Sequence, residues 1–162
     1  MSDIFLKIKN DLTTKKLNIL DYEFNRPWGG FFVISEDNAK DFANHYFDGL
    51  CTEKLKVSGK LSPKILIIAP YKRLSWQYHH RRSEIWKVTS GIIKVVTSHD
   101  DKERKKQTFY EGDEIKIYQG QRHRIIGTKD YAVVSEIWIH TEKDNPSDEE
   151  DIVRVQDDFN RI

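Results

Sequence analysis

The chain has 162 residues, of which 38% are hydrophobic and 12% aromatic, which suits one domain with a buried core. Its formal net charge of +1 provides no attraction to nucleic acid or to an anionic membrane, so neither is an expected partner. The single cysteine, Cys51, excludes an internal disulfide and a cysteine-rich zinc site.

Residues 1–20 have the pattern of an amphipathic helix, and we predict a helical N-terminal extension over residues 1–25. Charged residues interrupt this segment, and the chain has no apolar run long enough for a signal peptide or a membrane span. A cytoplasmic location is therefore expected. The extension would pack on the barrel or on a partner subunit through apolar residues at helical spacing: Ile4, Phe5, Ile8 and Leu12.

The remaining residues, 26–162, are predicted to form a single domain. Residues 26–30 have the composition of a turn that leads into a first strand at 31–34. A short helix is predicted from Asn38 to Phe47, with Asp37 or Asn38 as its N-cap. This helix and the polar connector after it form an insert at about residues 35–63.

From Lys64 onward the chain consists of short, β-branched runs separated by turn residues, which favours an all-β barrel over a helical bundle. Ser90-Gly91 has the turn chemistry of a hairpin, and so does Glu111-Gly112-Asp113. Strands are predicted at 64–69, 74–79, 84–90, 92–98, 106–110, 114–118, 123–127 and 131–139.

The run LSWQYHHRRSEIWKVTSG, residues 74–91, gathers side chains of the kind that bind metals. On an extended strand Gln77 and His79 point to the same face, and after a tight turn Glu84 can return to face them. The neighbouring His80 points to the opposite face and is not expected to be a ligand.

A fourth ligand, His123, comes from a second run, GDEIKIYQGQRH, at residues 112–123. Two imidazoles, a carboxylate and an amide oxygen form a mixed site for one divalent metal ion, without choosing among zinc, manganese, iron and nickel. A neutral glutamine leaves such a metal more electrophilic than a third histidine would, which favours Lewis-acid chemistry. The alternative is that the four side chains form a hydrogen-bonded cluster without metal.

These two runs resemble the paired motifs of the cupin superfamily, G(x)5HxH(x)3-4E(x)6G and G(x)5PxG(x)2H(x)3N. The spacing agrees throughout, although Tyr71, Gln77, Tyr118 and Gly127 differ in identity from the motif residues. The positions that correspond are, in order, Tyr71, Gln77, His79, Glu84 and Gly91, then Gly112, Tyr118, Gly120, His123 and Gly127.

The sequence LSWQYHHRRSEIW is similar to the LSxQxHHHRxEHW signature of the C-terminal cupin domain of type II mannose-6-phosphate isomerases, where glutamine takes the first ligand position. RPWG at 26–29 and EDIVRVQDDFNR at 150–161 agree with the same family. Arg81 and Ile85 stand where the family has histidine. The resemblance implies an all-β cupin fold standing alone, a double-stranded β-helix or jelly-roll-like barrel with short helices in its N-terminal region.

The resemblance also implies a metal-dependent sugar-phosphate isomerase that interconverts mannose 6-phosphate and fructose 6-phosphate for polysaccharide or nucleotide-sugar biosynthesis. Its partner would be a small sugar phosphate. Arg82 and Arg154 match arginines of the family motifs and are the candidate substrate-binding residues, together with Arg73 near the first motif. Arginine suits phosphate because its forked donors bind two oxygens at once.

The general base of such an isomerase is not identified by the motifs. Glu84 is their only carboxylate, but its basicity is partly used if it binds a metal. Lys72, His80 and a metal-bound hydroxide are the alternatives.

Two other classes of protein share the scaffold. One is a noncatalytic cupin that binds a sugar or a sugar phosphate, and the other is a different cupin enzyme, such as a sugar epimerase or an oxygenase. The sequence has no glycine-rich nucleotide-binding loop, so guanylyltransferase activity is not expected.

A homodimer is expected, because a second subunit would bury edge strands and aromatic residues that lie outside the motifs. These residues are Phe31, Phe32, Phe42, Tyr46 and Phe47.

Overall fold

Two antiparallel β-sheets face each other in the computed structural model, which describes residues 2–162. The helices are α1 (Asp3–Thr14), α2 (Ala39–Tyr46) and α3 (Thr52–Leu55), with a 3-10 turn at Glu36–Asn38. The strands are β1 (Ile19–Arg26), β2 (Gly29–Ile34), β3 (Lys64–Ile68), β4 (Trp76–Tyr78), β5 (Arg82–Ser90), β6 (Ile93–Ser98), β7 (Gln107–Phe109), β8 (Glu114–Ile117), β9 (Arg122–Gly127), β10 (Ala132–His140) and β11 (Val153–Gln156).

The first sheet has the strand order β1-β2-β3-β10-β5-β8, and the second has the order β11-β4-β9-β6-β7. Each of the eight strands predicted from residue 64 onward is present, with ends that differ from the prediction by at most two residues. The all-β, jelly-roll-like architecture is therefore confirmed.

Side-chain alternation along β3, β5 and β10 separates two layers of side chains. The register pairs Glu84 with Trp138 and Trp86 with Glu136 on β5 and β10, and these four side chains face the barrel interior. The residues between them face outward, as Ile85 does, and pack in the cluster beneath the helices. Glu84 and Glu136 thus lie inside the barrel, whereas Lys87 lies on the outer face of the sheet.

The N-terminal segment is only partly helical. Helix α1 ends at Thr14, and Ile19–Arg26 forms β1, the edge strand that pairs with β2. The prediction of a helical extension through residue 25 is therefore wrong after Thr14. The strand was not evident because its residues are exposed or half-buried, so the segment lacks the alternation of a buried strand.

The predicted helix at 38–47 is present as α2, but its N-terminus differs from the expectation. Asn38 is the N-cap residue without a capping side-chain bond, because its Oδ1 instead accepts from the backbone N–H of Asn18 at 2.9 Å. Asp37 donates its backbone N–H to Ser35 Oγ at 3.3 Å. None of the helices within residues 2–162 has the length and hydrophobicity needed to cross a membrane.

The aromatic residues of the N-terminal half are largely buried by the chain itself. Phe32, Phe42 and Phe47 are at most 1% exposed, in the cluster that α1 and α2 form with the outer face of the first sheet. The homodimer stays a prediction, but these three side chains no longer support it.

Helix α1 offers a direct test of this packing. Replacing Leu12 by Ala should lower the free energy of unfolding by about 3 kcal/mol, because the Leu12 side chain is fully buried (0% exposed). Leu6→Ala is the matched control on the same helix: Leu6 is 49% exposed, and its loss should cost about 0.5 kcal/mol or less. Urea unfolding followed by circular dichroism measures both, and equal losses would contradict the packing of α1 on the sheet.

Candidate functional site

The barrel interior brings together the four side chains predicted as metal ligands. His79, Glu84 and His123 offer ligand atoms that all lie within 4.8 Å of one another, and each residue is 2% exposed. Gln77 pairs with His123 across β4 and β9 and lines the same cavity. The side-chain oxygen of Gln77, Oε1, also accepts a hydrogen bond from Ser75 Oγ at 2.5 Å.

Both imidazoles are oriented by backbone carbonyls. His79 Nδ1 lies 2.6 Å from the carbonyl oxygen of Asp151, and His123 Nδ1 lies 2.9 Å from that of Gln121. A carbonyl can only accept, so each Nδ1 donates its proton to the backbone and each Nε2 is left facing the cluster.

The Nε2 atom of His123 is buried and has no hydrogen-bond partner within residues 2–162. Burial lowers the pKa of His123 to about 4, so the ring is neutral at neutral pH, which is the form that binds metals. A buried, unsatisfied lone pair beside a carboxylate fits a divalent cation, and the donor set therefore suits such an ion.

Arg82 lies against the same cluster. Its Nε donates to Glu84 Oε1 at 2.9 Å, one terminal nitrogen is 3.2 Å from His79 Nε2, and the guanidinium stacks 3.6 Å from the Trp138 ring centroid. Burial alone would raise the pKa of Glu84, but the adjacent His79 and Arg82 hold it well below its usual range. Glu84 is thus ionised, and a bound cation would compete with Arg82 for it.

The loop before β11 holds His79 in place through Asp151. The Asp151 carboxylate accepts from the backbone N–H groups of His80 and Arg81 at 2.9 and 3.0 Å, and from Ser147 Oγ at 2.6 Å. Its own carbonyl receives the Nδ1 proton of His79. Nothing in the sequence beyond the family-like run at 150–161 indicated this positioning role.

A cavity of about 140 Å³ adjoins the cluster. A larger cavity of about 500 Å³ lies on the other side of the first sheet, beneath α1 and α2, but it does not contain the His-His-Glu cluster. The smaller cavity is therefore the candidate site. Its charged lining residues are Arg26, Lys64, Arg82, Glu84, Glu136, Glu149, Arg154 and Arg161.

The three predicted substrate-binding arginines occupy different environments. Arg82 and Arg154 line the cavity, and Arg154 is the cross-strand partner of Gln77. The Nε atom of Arg154 is buried and has no hydrogen-bond partner within the described residues. Arg73 is not among the lining residues and donates two hydrogen bonds to Asp158, at 2.6 and 2.8 Å.

Of the three candidate bases, only Glu84 lines the cavity. Lys72 and His80 are exposed and are absent from its lining.

Two buried charged residues of the cavity were missed from the sequence, Glu136 on β10 and Lys64 on β3. Each is 6% exposed, and the strand register pairs them directly. Burial and the nearby Glu84 raise the pKa of Glu136 to about 7, whereas burial lowers the pKa of Lys64 to about 8. A signal was available, because Lys64 begins a strongly apolar strand and Glu136 interrupts another, and charged residues are almost never fully buried unless they are paired.

The two departures from the type II signature do not touch the cavity. Ile85 faces outward into the cluster under the helices. The Arg81 side chain lies 3.5 Å from Asp148 and 3.8 Å from Asp151, and neither Arg81 nor Ile85 is a lining residue. Neither replacement therefore places a side chain in the cavity beside Glu84.

A two-sheet barrel with a buried His-His-Glu cluster defines a cupin domain. The chain matches the family model described as Mannose-6-phosphate isomerase C-terminal over residues 51–157. It belongs to this family. No curated protein matches the chain at a significant level.

Similar solved structures agree on the fold. CapF with the inhibitor 3-isopropenyl-tropolone superimposes with a TM-score of 0.57 at 16% identity, over 87% of this chain and 35% of that one. The capsular polysaccharide assembling protein CapF from Staphylococcus aureus gives a TM-score of 0.55 at 14% identity, over 87% and 34%. At these identities the likeness shows the fold alone, and the chain spans about a third of the length of CapF.

The cluster predicts a metal-binding protein. After reconstitution we expect about one divalent ion per chain by elemental analysis. Replacing His123 by Ala removes a ligand and should weaken metal affinity at least about 100-fold. His80→Ala is the matched control, because this histidine is exposed and should leave the affinity unchanged. Equal losses in the two variants, or no bound metal in the reconstituted protein, would contradict the site.

Proposed function

We propose that the protein is a metal-dependent sugar-phosphate isomerase that interconverts mannose 6-phosphate and fructose 6-phosphate, in polysaccharide or nucleotide-sugar biosynthesis. The observation that carries the proposal is the buried His79, Glu84 and His123 cluster, which opens into a cavity lined by an arginine with an unpaired nitrogen, Arg154. Membership of the mannose-6-phosphate isomerase C-terminal family supports the same reaction.

In this proposal Gln77, His79, Glu84 and His123 hold one divalent metal ion, which when bound supplies Lewis-acid stabilisation to the sugar oxygens at C1 and C2. The protein's own contribution begins with Glu84, whose ionised carboxylate favours a cation in the buried site. Asp151 fixes the His79 ring through its carbonyl, so one ligand is preorganised before anything binds.

Arg154 and Arg26 are the cations of the cavity best suited to a phosphate group. The other lining cations are already engaged: Arg161 bonds to Asp157 at 2.7 and 2.9 Å, Arg82 to Glu84 at 2.9 Å and Lys64 to Glu149. Arg26 forms no ion pair within the described residues and lies 5.6 Å from the Phe31 ring. The forked donors of two such arginines can bind a phosphate in several ways.

The size of the cavity constrains how a substrate would lie. Its volume of about 140 Å³ is below the range of about 300–1,000 Å³ that is usual for small-molecule sites. A hexose phosphate would therefore place its carbonyl end beside Glu84 and extend outward, with the phosphate toward Arg154 and Arg26.

A second candidate function is a noncatalytic cupin that binds a sugar phosphate without metal. The observation that favours it is Arg82, whose guanidinium already bonds to Glu84 and lies within hydrogen-bond distance of His79. In that form the arginine provides the positive charge that a metal would otherwise bring to Glu84.

A coupled assay on the metal-loaded protein tests the proposed function. Wild type should interconvert the two hexose 6-phosphates, and Arg154→Ala should raise the KM about 10- to 100-fold, because a charge-assisted phosphate contact contributes about 1.5–3 kcal/mol. Arg73→Ala is the matched control, since Arg73 is paired with Asp158 and is not a lining residue, and its KM should change less than about threefold.

The outcomes separate the two functions. Wild type that binds hexose 6-phosphate in calorimetry but does not turn it over would favour the noncatalytic cupin. Wild type that binds no phosphorylated sugar would contradict both and direct attention to other cupin chemistries, such as epimerases and oxygenases.

A further inference from the structure

Glu136 is, with Glu84, one of the two buried carboxylates that line the cavity, and it faces the same space as the cluster. It lines the cavity together with Glu84 and Gln77, and with His123 in the adjoining deeper recess. The β5–β10 register places Glu136 opposite Trp86, and Glu84 opposite Trp138. The two carboxylates therefore occupy diagonal positions on neighbouring strands, with an indole at each of the other two corners.

The two indoles hold the Glu136 carboxylate by both oxygens. Trp138 Nε1 donates to Oε1 at 2.8 Å, and Trp86 Nε1 lies 3.1 Å from Oε2. The Trp86 N–H is shared, since it also lies 3.0 Å from Glu84 Oε2. Glu136 is thus fixed in orientation by neutral donors, which have no proton to exchange at neutral pH.

Glu136 differs from Glu84 in how its charge is balanced. Glu84 forms an ion pair with Arg82 at 2.9 Å, whereas Glu136 forms no ion pair within residues 2–162. Its cross-strand partner Lys64 directs its ammonium to Glu149 instead. A carboxylate without a direct cationic partner can accept a proton at much lower cost than one that is paired.

The groups that face Glu136 all influence its protonation. Burial, followed by the charge of Glu84, raises its pKa to about 7, whereas Lys64, Arg82 and the Trp138 hydrogen bond act in the opposite direction. Such a group exists in both protonation states near neutral pH, as a general acid–base catalyst requires.

We propose that Glu136 is the residue that moves the proton between C2 and C1 of the sugar, an inference that rests on the proposed isomerase function. It supplies the general base that the sequence motifs do not identify. The inference divides the two buried carboxylates of the cavity between two roles, with Glu84 in the ligand cluster and Glu136 in proton transfer.

The isomerisation step balances in protons and electrons. The Glu136 carboxylate takes the proton from C2 of the open-chain aldose. The C–H electron pair becomes the C1=C2 bond and the carbonyl pair moves to O1. The O2 proton passes to O1, O2 re-forms a carbonyl with C2, and the C1=C2 pair takes the proton back from Glu136 at C1. No oxidant, reductant or external proton is consumed.

The decisive variant is Glu136→Gln, assayed on the full-length, metal-loaded protein. We expect kcat to fall at least about 100-fold, with KM, metal content and calorimetric binding of mannose 6-phosphate close to wild type, because general acid–base catalysis contributes about 10²–10⁴-fold. Glu114→Gln is the matched control: Glu114 is exposed on β8, and its activity should equal that of wild type.

Trp138→Phe supplies a readout that a merely structural role would not change. It keeps an aromatic ring in place but removes the N–H donor to Glu136, a bond that lowers the pKa of this residue. In the aldose-to-ketose direction Glu136 must start unprotonated, so kcat/KM falls as the pH drops through its pKa. The acid limb of the Trp138→Phe profile should therefore lie at higher pH than that of wild type.

The outcomes are distinct from those of the proposed function. If wild type does not isomerise hexose 6-phosphates, the proposed function fails and this inference falls with it. If wild type is active and Glu136→Gln retains activity within about threefold, Glu136 is not the proton-transfer residue while the isomerase function stands. If Glu136→Gln loses its fold or its metal, the Trp138→Phe profile decides, and an unmoved acid limb overturns the inference.

Discussion

The antiparallel register of β3, β10 and β5 is the constraint on which the rest of the structure depends. Side chains on a strand alternate with a period of two, so the pairing that directs Glu84 and Glu136 inward also directs Ile85 and Ile137 outward. A slip of one residue would expose an apolar face to the cavity and place carboxylates under the helices. The helical cover and the candidate site are thus two consequences of one register.

Burial of several charges in one small barrel requires that each be balanced nearby, because an isolated buried charge is strongly destabilising. The interior meets this demand in three ways. Glu84 is paired with Arg82, Lys64 reaches the exposed Glu149 at the surface, and Glu136 accepts two indole N–H groups in place of a cation. Of these three charges, that of Glu136 is balanced least well, because it has no cationic partner among the residues that the structure describes. Burial accordingly raises its pKa to about 7.

Local spacing was enough to predict that the candidate ligand side chains lie together. Gln77, His79 and Glu84 lie on one hairpin, so strand alternation and a short turn determine their relative positions, and the family-like second run added His123. The same holds for the eight strands from residue 64 onward. Tyr71, which stands at the position of a motif glycine, has a left-handed backbone with φ of 57°, and its side chain is 77% exposed.

What could not be predicted depends on contacts between distant parts of the chain. Strand β1 is an exposed edge strand, and it is recognisable as a strand only through its pairing with β2. The pairing of Lys64 with Glu136 joins residues 72 positions apart, and no local pattern specifies such a register. Arg73 was a candidate because it lies near the first motif, and only the structure shows that it pairs with Asp158 and does not line the cavity.

Arg82 links the charge of Glu84 to the loop before β11. Its guanidinium provides the charge that Glu84 needs when no other cation is present, and Trp138 holds it in place by stacking. Because Ser147 Oγ and the Asp148 carbonyl also accept from Arg82, its position is tied to the loop that orients His79 through Asp151. Any cation that displaces Arg82 from Glu84 would thereby act on the loop over the cavity as well. Under the proposed function, binding of a cation to Glu84 and the shape of the candidate cavity are therefore linked through this one arginine.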